Sequence, residues 1–226
     1  MIRPLLFAAL ALLAPSAMAA TVVFGEDTGV GALPANGNAA AAAATFAAGR
    51  GAGVETLEGL SGAANEALYS FGTTGVTATA TVDPSVQIGG PGTGQFATSG
   101  AQVIADLGFG LFFSFSTPVP GFGTFVSGLA DDGSSVTATA FYVTGGREDF
   151  LLPAAGAAGS VLFWGLLADT PSEALSGLLF TPAGGDLVAL DDLTVVSAVP
   201  LPAAALALIT ALTALGGIGL RRRQGH

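Results

Sequence analysis

The chain contains no cysteine and no lysine, and its one histidine is the final residue, His226. Without cysteine, disulfides, a lipid-modified cysteine and a cysteine nucleophile are all excluded. With histidine confined to the last position, the body of the chain cannot carry a Ser-His-Asp triad, a histidine acid–base pair or a histidine metal site. The chemistry left to this sequence is that of carboxylates, hydroxyls and aromatic rings.

Basic residues are also scarce. Sixteen acidic residues lie from Glu26 to Asp192, against only Arg50 and Arg147, so this stretch carries a net charge near −14. Binding to nucleic acid or to anionic lipid depends on lysine and arginine to neutralise phosphates. We therefore expect no nucleic-acid partner, and a divalent cation, a neutral polysaccharide or simple solubility in a salty medium remain compatible with the charge.

The first nineteen residues have the three-part pattern of a signal peptide. Arg3 supplies the positive charge, residues 5–14 form a short apolar segment, and Ala17 and Ala19 make an A-x-A cleavage site. We predict that signal peptidase cuts before Ala20. The protein is therefore expected to be exported.

The last 28 residues combine a motif, an apolar span and a basic cluster. The motif is Val199-Pro200-Leu201-Pro202-Ala203, and the cluster is Arg221, Arg222 and Arg223. The uncharged stretch 203–220 would form a helix of about 27 Å, close to the roughly 30 Å hydrocarbon core of a bilayer. Arginines after a span resist translocation. The sequence thus predicts a transmembrane helix whose C-terminal end stays in the cytoplasm.

In its residues and their order, this tail resembles the VPLPA variant of the PEP-CTERM sorting domain, which exosortases recognise in Gram-negative bacteria. The resemblance implies an exosortase substrate with three parts: a signal peptide at 1–19, an extracellular domain at 20–198 and a sorting signal at 199–226. It also implies a transient anchor in the inner membrane, followed by transfer to the cell surface or extracellular matrix.

The body of the chain has a mostly β pattern. The segment 76–82 alternates strictly between Val or Ala and Thr, which is typical of a half-buried strand. Further strands are predicted at 111–117, ending at Pro118, and at 136–143, 161–167, 175–180 and 187–196. Seven to ten strands at this spacing favour an antiparallel β-sandwich. The large side chains expected in its core are Phe113, Phe115, Phe141, Phe163, Trp164 and Phe180.

One or two short helices are predicted near the N-terminus. Residues 38–49 combine an Asn N-cap, a run of alanines and a Gly at the C-terminal end, and a second, weaker helix is expected within 55–68.

Short motifs of the body are similar to those of a group of extracellular domains that carry this kind of tail. The motifs are Gly25-Glu26-Asp27-Thr28, Phe96-Ala97-Thr98-Ser99-Gly100, Phe113-Ser114-Phe115-Ser116-Thr117-Pro118-Val119 followed by Gly121-Phe122-Gly123, Phe163-Trp164-Gly165, and Leu190-Asp191-Asp192-Leu193. The resemblance implies a jelly-roll-like sandwich and implies nothing about activity, because one fold hosts many functions.

Two acidic pairs form a candidate calcium site. Glu26 and Asp27 follow the first strand, and Asp191 and Asp192 lie near the last, so the four would meet if the terminal strands pair. Clustered carboxylate oxygens suit Ca²⁺, a hard cation with six to eight oxygen ligands. The alternative is that these are solvated charges at strand ends.

Other candidates have simpler interpretations. Asp131-Asp132-Gly133 is predicted to be a hairpin turn, and Glu148 and Asp149 beside Arg147 a solvated charge cluster in a turn. Trp164, the sole tryptophan, could stack on sugars if exposed, but its apolar strand favours a core role.

These observations predict a non-enzymatic, structural or adhesive protein associated with exopolysaccharide. The first alternative is a carbohydrate-binding module, which would need exposed aromatic side chains beside a groove. The second is a glycoside-active enzyme, which would need two carboxylates about 5 to 10 Å apart across a cleft.

Overall fold

A computed structural model describes residues 20–92, 94–129, 135–153, 159–183 and 188–197. Its first antiparallel sheet has eight strands. They are β1 (Ala20–Asp27), β2 (Gly51–Glu55), β3 (Gly62–Ala63), β6 (Gln87–Gly89), β7 (Val103–Ala105), β9 (Gly121–Ser127), β12 (Val161–Ala168) and β14 (Ala189–Ser197). Their spatial order is β1-β12-β9-β14-β7-β6-β3, and β2 also pairs with β14.

The second antiparallel sheet has six strands. They are β4 (Leu68–Ser70), β5 (Thr77–Thr81), β8 (Leu111–Val119), β10 (Ser135–Tyr142), β11 (Arg147–Leu151) and β13 (Leu175–Ala183). Their spatial order is β11-β10-β13-β8-β5-β4. The prediction of a mostly β chain built from antiparallel sheets is confirmed.

The main core lies between the two sheets. Trp164 and Leu166 of β12 pack there with Phe113 of β8 and Phe180 of β13, and all four are buried. Alternation produces this arrangement, because inward side chains of both sheets interdigitate while their neighbours point out.

A second apolar cluster lies on the other side of the first sheet, under the helix α1 (Asn38–Ala47). Phe46 of α1 packs on Phe163 at a ring distance of 5.6 Å. Gly165 and Gly123 make room for that ring, since a Cβ built at either position would lie within 3.2 Å of Phe46. The first sheet is therefore buried on both faces where α1 crosses it.

Each strand predicted from alternation is present, but the described residues contain fourteen strands where seven to ten were expected. The predicted second helix at 55–68 is wrong, because this segment holds β3 and one 3-10 turn. The predicted end of a strand at Pro118 is also wrong. β8 continues to Val119, and Pro118 is accommodated where the pairing with β13 is irregular.

The first and last described strands reach the same end of the molecule. Thr21, Leu167, Gly121 and Val196 stand in one row across β1, β12, β9 and β14. At about 4.8 Å between neighbouring strands, the two outer members of this row are roughly 14 Å apart.

Several predicted features lie outside the described residues. They are the signal peptide with Ala17 and Ala19, the turn at Asp131 and Asp132, and the whole sorting signal. Ala20, where cleavage is predicted, is the first residue of β1. Within the described ranges, no helix is long and apolar enough to cross a membrane.

Candidate functional site

The acidic pairs predicted to bind calcium are not brought together. β12 and β9 lie between β1 and β14, so the expected pairing of the terminal strands is wrong. The described residues also contain no group of three or more acidic or histidine side chains placed to hold a metal ion. The reason for the separation is topological, because two strands from the middle of the chain insert between the first and the last.

Asp27 has a structural role instead. Its Oδ1 accepts a hydrogen bond from the backbone N–H of Asn38 at 2.9 Å, and its Oδ2 accepts one from the N–H of Ala39 at 3.0 Å. The N-cap position is occupied by Gly37, not by Asn38 as predicted, and Asn38 Nδ2 donates to the carbonyl of Glu26 at 3.0 Å. The carboxylate of Asp27 therefore caps α1 from a distance along the chain.

Asp191 and Asp192 of β14 hold the loop residues Thr98 and Ser99 by hydrogen bonds. Asp191 Oδ2 accepts hydrogen bonds from the N–H and hydroxyl of Thr98 and from the N–H of Ser99, at 2.7 to 3.1 Å. Asp192 accepts from the hydroxyls of Thr98 and Ser99. Two of the motifs that carry the resemblance of the body thus contact one another, and their role is to hold a loop.

The carboxyl of Asp191 is buried beneath this loop. Burial, followed by the adjacent charge of Asp192, raises the pKa of Asp191 above its ordinary value, although hydrogen bonds from Ser99 and Thr98 oppose the shift. Because folding raises this pKa, the stability contributed by Asp191 is present at low pH and is lost as the pH rises through the raised value.

An aromatic pair lies on the outward side of the six-stranded sheet, which we call the outer face. Phe112 of β8 and Phe141 of β10 are half-buried and meet edge to face, with ring centroids 5.5 Å apart. Phe112 lies over Gly177 of β13, where a Cβ would be 2.6 Å from its ring. The absence of a side chain at Gly177 therefore allows the Phe112 ring to lie close to the sheet.

Hydroxyl side chains lie on the β5 side of this pair. Thr79 and Thr81 of β5 stand opposite Ser114 and Phe112 of β8 in the pairing register, and Ser116 accepts a hydrogen bond from the N–H of Thr77. A shallow groove of about 140 Å³ runs between β5 and β8. Its hydroxyl-bearing lining consists of Thr77, Thr79, Ser114 and Ser116.

Charged residues border the other side of the pair. Arg147, Glu148 and Asp149 were predicted to lie in a turn, which is wrong, because they form the first half of the edge strand β11. Arg147 stands opposite Phe141 in the register, and Asp149 accepts a hydrogen bond from Thr139 at 2.6 Å. The inward Glu148 accepts one from the hydroxyl of Tyr142, whose pKa is raised chiefly by burial.

The outer face was not predicted from the sequence, because the prediction considered only the side chains expected to point into the core. Phe113 was assigned correctly to the core, and Phe112 beside it must then point outward. Phe141 was predicted to be a core residue, but the inward positions of β10 are Ala140 and Tyr142. Trp164 is fully buried, so it is not the aromatic platform of an exposed site.

No protein-family model matches the chain, and no curated protein matches it. Solved structures that are similar to it at low level include two with xylan-related names. One is a CBM22-1 xylan-binding domain from Paenibacillus barcinonensis Xyn10C, with 19% identity and a TM-score of 0.33 over 67% of this chain and 100% of that one.

Another is the CBM22-1-GH10 part of a Clostridium thermocellum endo-1,4-beta-D-xylanase 10B, in complex with xylohexaose. It has 13% identity and a TM-score of 0.29 over 65% of this chain and 26% of that one. At these values neither similarity carries an argument, and the interpretation of the outer face depends on its own geometry.

Proposed function

We propose that the protein is an exported component of the cell surface or extracellular matrix that associates with exopolysaccharide through its outer face. The observation that carries the proposal is the half-buried Phe112–Phe141 pair on the outer face, beside a hydroxyl-lined groove. We further propose that the sandwich is jelly-roll-like and that an exosortase processes the tail, as its resemblance to the VPLPA sorting signal implies.

The chemistry of the outer face suits a neutral sugar. The apolar face of a pyranose ring can pack on an aromatic ring, while its hydroxyls exchange hydrogen bonds with Ser and Thr. Asp149 and Arg147 add an acceptor and a donor at the border of the same face. A flat, open sheet face also admits a long polymer, whereas a closed pocket would admit only a chain end.

A structural or adhesive role is favoured over the glycoside-active alternative. Three grooves contain at most one carboxylate each: none in the groove between β5 and β8, Glu26 in the groove beside α1, and Asp169 in the groove formed by Pro118, Pro120 and residues 168–174. Acid-pair hydrolysis needs two. We propose on this basis a role in which the protein binds polysaccharide and does not cleave it.

A glycan array followed by calorimetry tests the proposal. The purified protein should bind one class of neutral oligosaccharide on the array. Titration of the strongest binder against Phe112→Ala and Phe141→Ala should give affinities about tenfold weaker, corresponding to about 1.4 kcal/mol of lost stacking.

The control is Val54→Ala, which shortens an apolar side chain that is 45% exposed on β2 of the other sheet. It should bind the oligosaccharide with unchanged affinity. The proposal fails if no neutral glycan binds, or if Val54→Ala weakens binding as much as the two changes on the outer face.

A further inference from the structure

Five of the described strands have a sheet neighbour on one side only, and β1 differs from the other four. β2, β3 and β4 have five, two and three residues, and the five residues of β11 begin with three charges. β1 has eight residues, pairs with β12 at every position without a bulge, and contains neither proline nor lysine. Long flat edges of this kind are templates for pairing with another strand, and proteins usually protect them.

A groove lies along this edge. It has a volume of about 420 Å³, and its lining includes Phe24 and Glu26 of β1 and Ala41, Ala42 and Thr45 of α1. The small side chains of α1 leave space above the edge for an added strand. In the described residues, no other strand pairs with this side of β1.

The contact between Asn38 and Glu26 shows which main-chain groups face the groove. Asn38 lines the groove and its Nδ2 donates to the Glu26 carbonyl, so that carbonyl points away from β12. Main-chain groups in an antiparallel strand alternate between the two sides. The N–H and C=O of Val22 and Phe24 therefore face the groove as well, while those of Val23 face β12.

We propose that two copies of the chain pair through β1, antiparallel, about a two-fold axis at Val23. In this register Val22 exchanges hydrogen bonds with Phe24 of the second copy, Val23 faces its own counterpart, and Thr21 faces Gly25. Phe24, which is 56% exposed, then packs beside Val22 of the second copy. No acidic residue stands opposite another.

Charge complementarity favours a second copy of the chain as the partner that pairs with β1. In this register Ala20 stands opposite Glu26 of the second copy, next to its Asp27. The Glu26 carbonyl keeps its hydrogen bond from Asn38, so the main-chain hydrogen bonds between the copies are those of Val22 and Phe24. Cleavage before Ala20, as predicted, gives this residue a positively charged α-amino group. An antiparallel copy thus places the new positive end of each β1 beside the acidic end of the other, in a body that has only two arginines.

The dimer would join the two eight-stranded sheets into one. Its axis is perpendicular to the sheet, so the two outer faces lie on the same side of the assembly. A polymer could then contact both faces at once. The dimer itself does not depend on glycan binding, and each can fail without the other.

Cysteine cross-linking tests the register, because the chain has no cysteine of its own. A non-hydrogen-bonded antiparallel pair has Cα atoms about 4.5 Å apart, within the range of a disulfide. The exported Val23→Cys protein should therefore form a disulfide-linked dimer on mild oxidation. Thr21→Cys is the matched control on the same strand, since its two copies would be about 13 Å apart along the strands.

Sedimentation tests whether β1 forms the dimer interface. The wild-type exported protein should sediment as a dimer at micromolar concentration, and Phe24→Lys should shift it to monomer, because lysine on an edge opposes pairing. Leu68→Lys, at a Leu that is 58% exposed on the edge strand β4, should remain a dimer. A monomeric wild type, a dimeric Phe24→Lys, or cross-linking of Thr21→Cys as efficient as that of Val23→Cys would each overturn the proposal.

Discussion

Trp164 lies between aromatic rings in the middle of the main core. Its ring centroid is 6.2 Å from that of Phe150 and 5.9 Å from that of Phe180, and none of its surface is exposed. Its Nε1 has no hydrogen-bond partner in the part of the chain that the structure describes. The indole therefore stabilises the fold by burial and packing, and its N–H opposes part of this effect.

Replacing Trp164 by Ala should lower the free energy of unfolding by roughly 3 to 5 kcal/mol, because transfer energy is lost and a cavity remains. Trp164→Phe should cost less, since it keeps an aromatic ring and removes the unpaired N–H. Urea denaturation of the purified protein measures both changes. Phe109→Ala, at a Phe that is 94% exposed, is the control and should change stability by less than about 0.5 kcal/mol. A midpoint unmoved by Trp164→Ala would contradict the core role.

At the scale of elements, α1 depends on a residue ten positions before its cap. Asp27 satisfies two of the backbone donors at the start of the helix, and its charge favours the positive end of the helix dipole. The helix has no acidic residue in its own first turn. It therefore relies on the end of β1 for its N-terminal stabilisation.

Asp27→Ala should destabilise the protein by about 1 to 2 kcal/mol through loss of this cap. Asp27→Asn keeps one acceptor oxygen and should lose less. Chemical denaturation gives the values, and hydrogen exchange at Asn38 and Ala39 locates the effect. Equal stability of all three proteins would show that the cap contributes nothing.

Elements could be predicted from the sequence where their pattern is unambiguous. β5 and β10 alternate, and α1 is a run of alanines ended by a Gly in the left-handed conformation at Gly49. β9 was missed because it is buried on both faces and shows no alternation. β3, β4, β6 and β7 have two or three residues, too few for any period.

The site could be predicted only in part. The alternation of inward and outward side chains along β8 implies that Phe112 points outward. Its partner Phe141 comes from β10, which is not adjacent to β8, so their contact depends on the order of strands in the sheet. The same limit explains the calcium prediction. Local sequence places Asp27 and Asp191 at strand ends, whereas only topology decides whether those ends meet.

For the whole molecule, the sorting tail gives a direct prediction. Because the Pro-Leu-Pro motif precedes a span of eighteen residues, we expect the tail to be removed by exosortase during export. Mass spectrometry of the surface-associated protein should find a first residue at Ala20 and no peptide from about Ala203 onward. Recovery of the peptide ending in His226 from that fraction would instead indicate a permanent anchor.

The last described pair of β14 is at Ser197, two residues before the predicted sorting motif. All described pairing of both sheets therefore lies before the point where the tail is expected to be cleaved. Six residue steps separate Ser197 from Ala203, a tether of at most about 20 Å. If the tail anchors the protein as we propose, the domain would lie close to the bilayer at the end where β1 also begins. Cleavage of the tail would then release the described sheets without refolding and would leave the outer face unchanged.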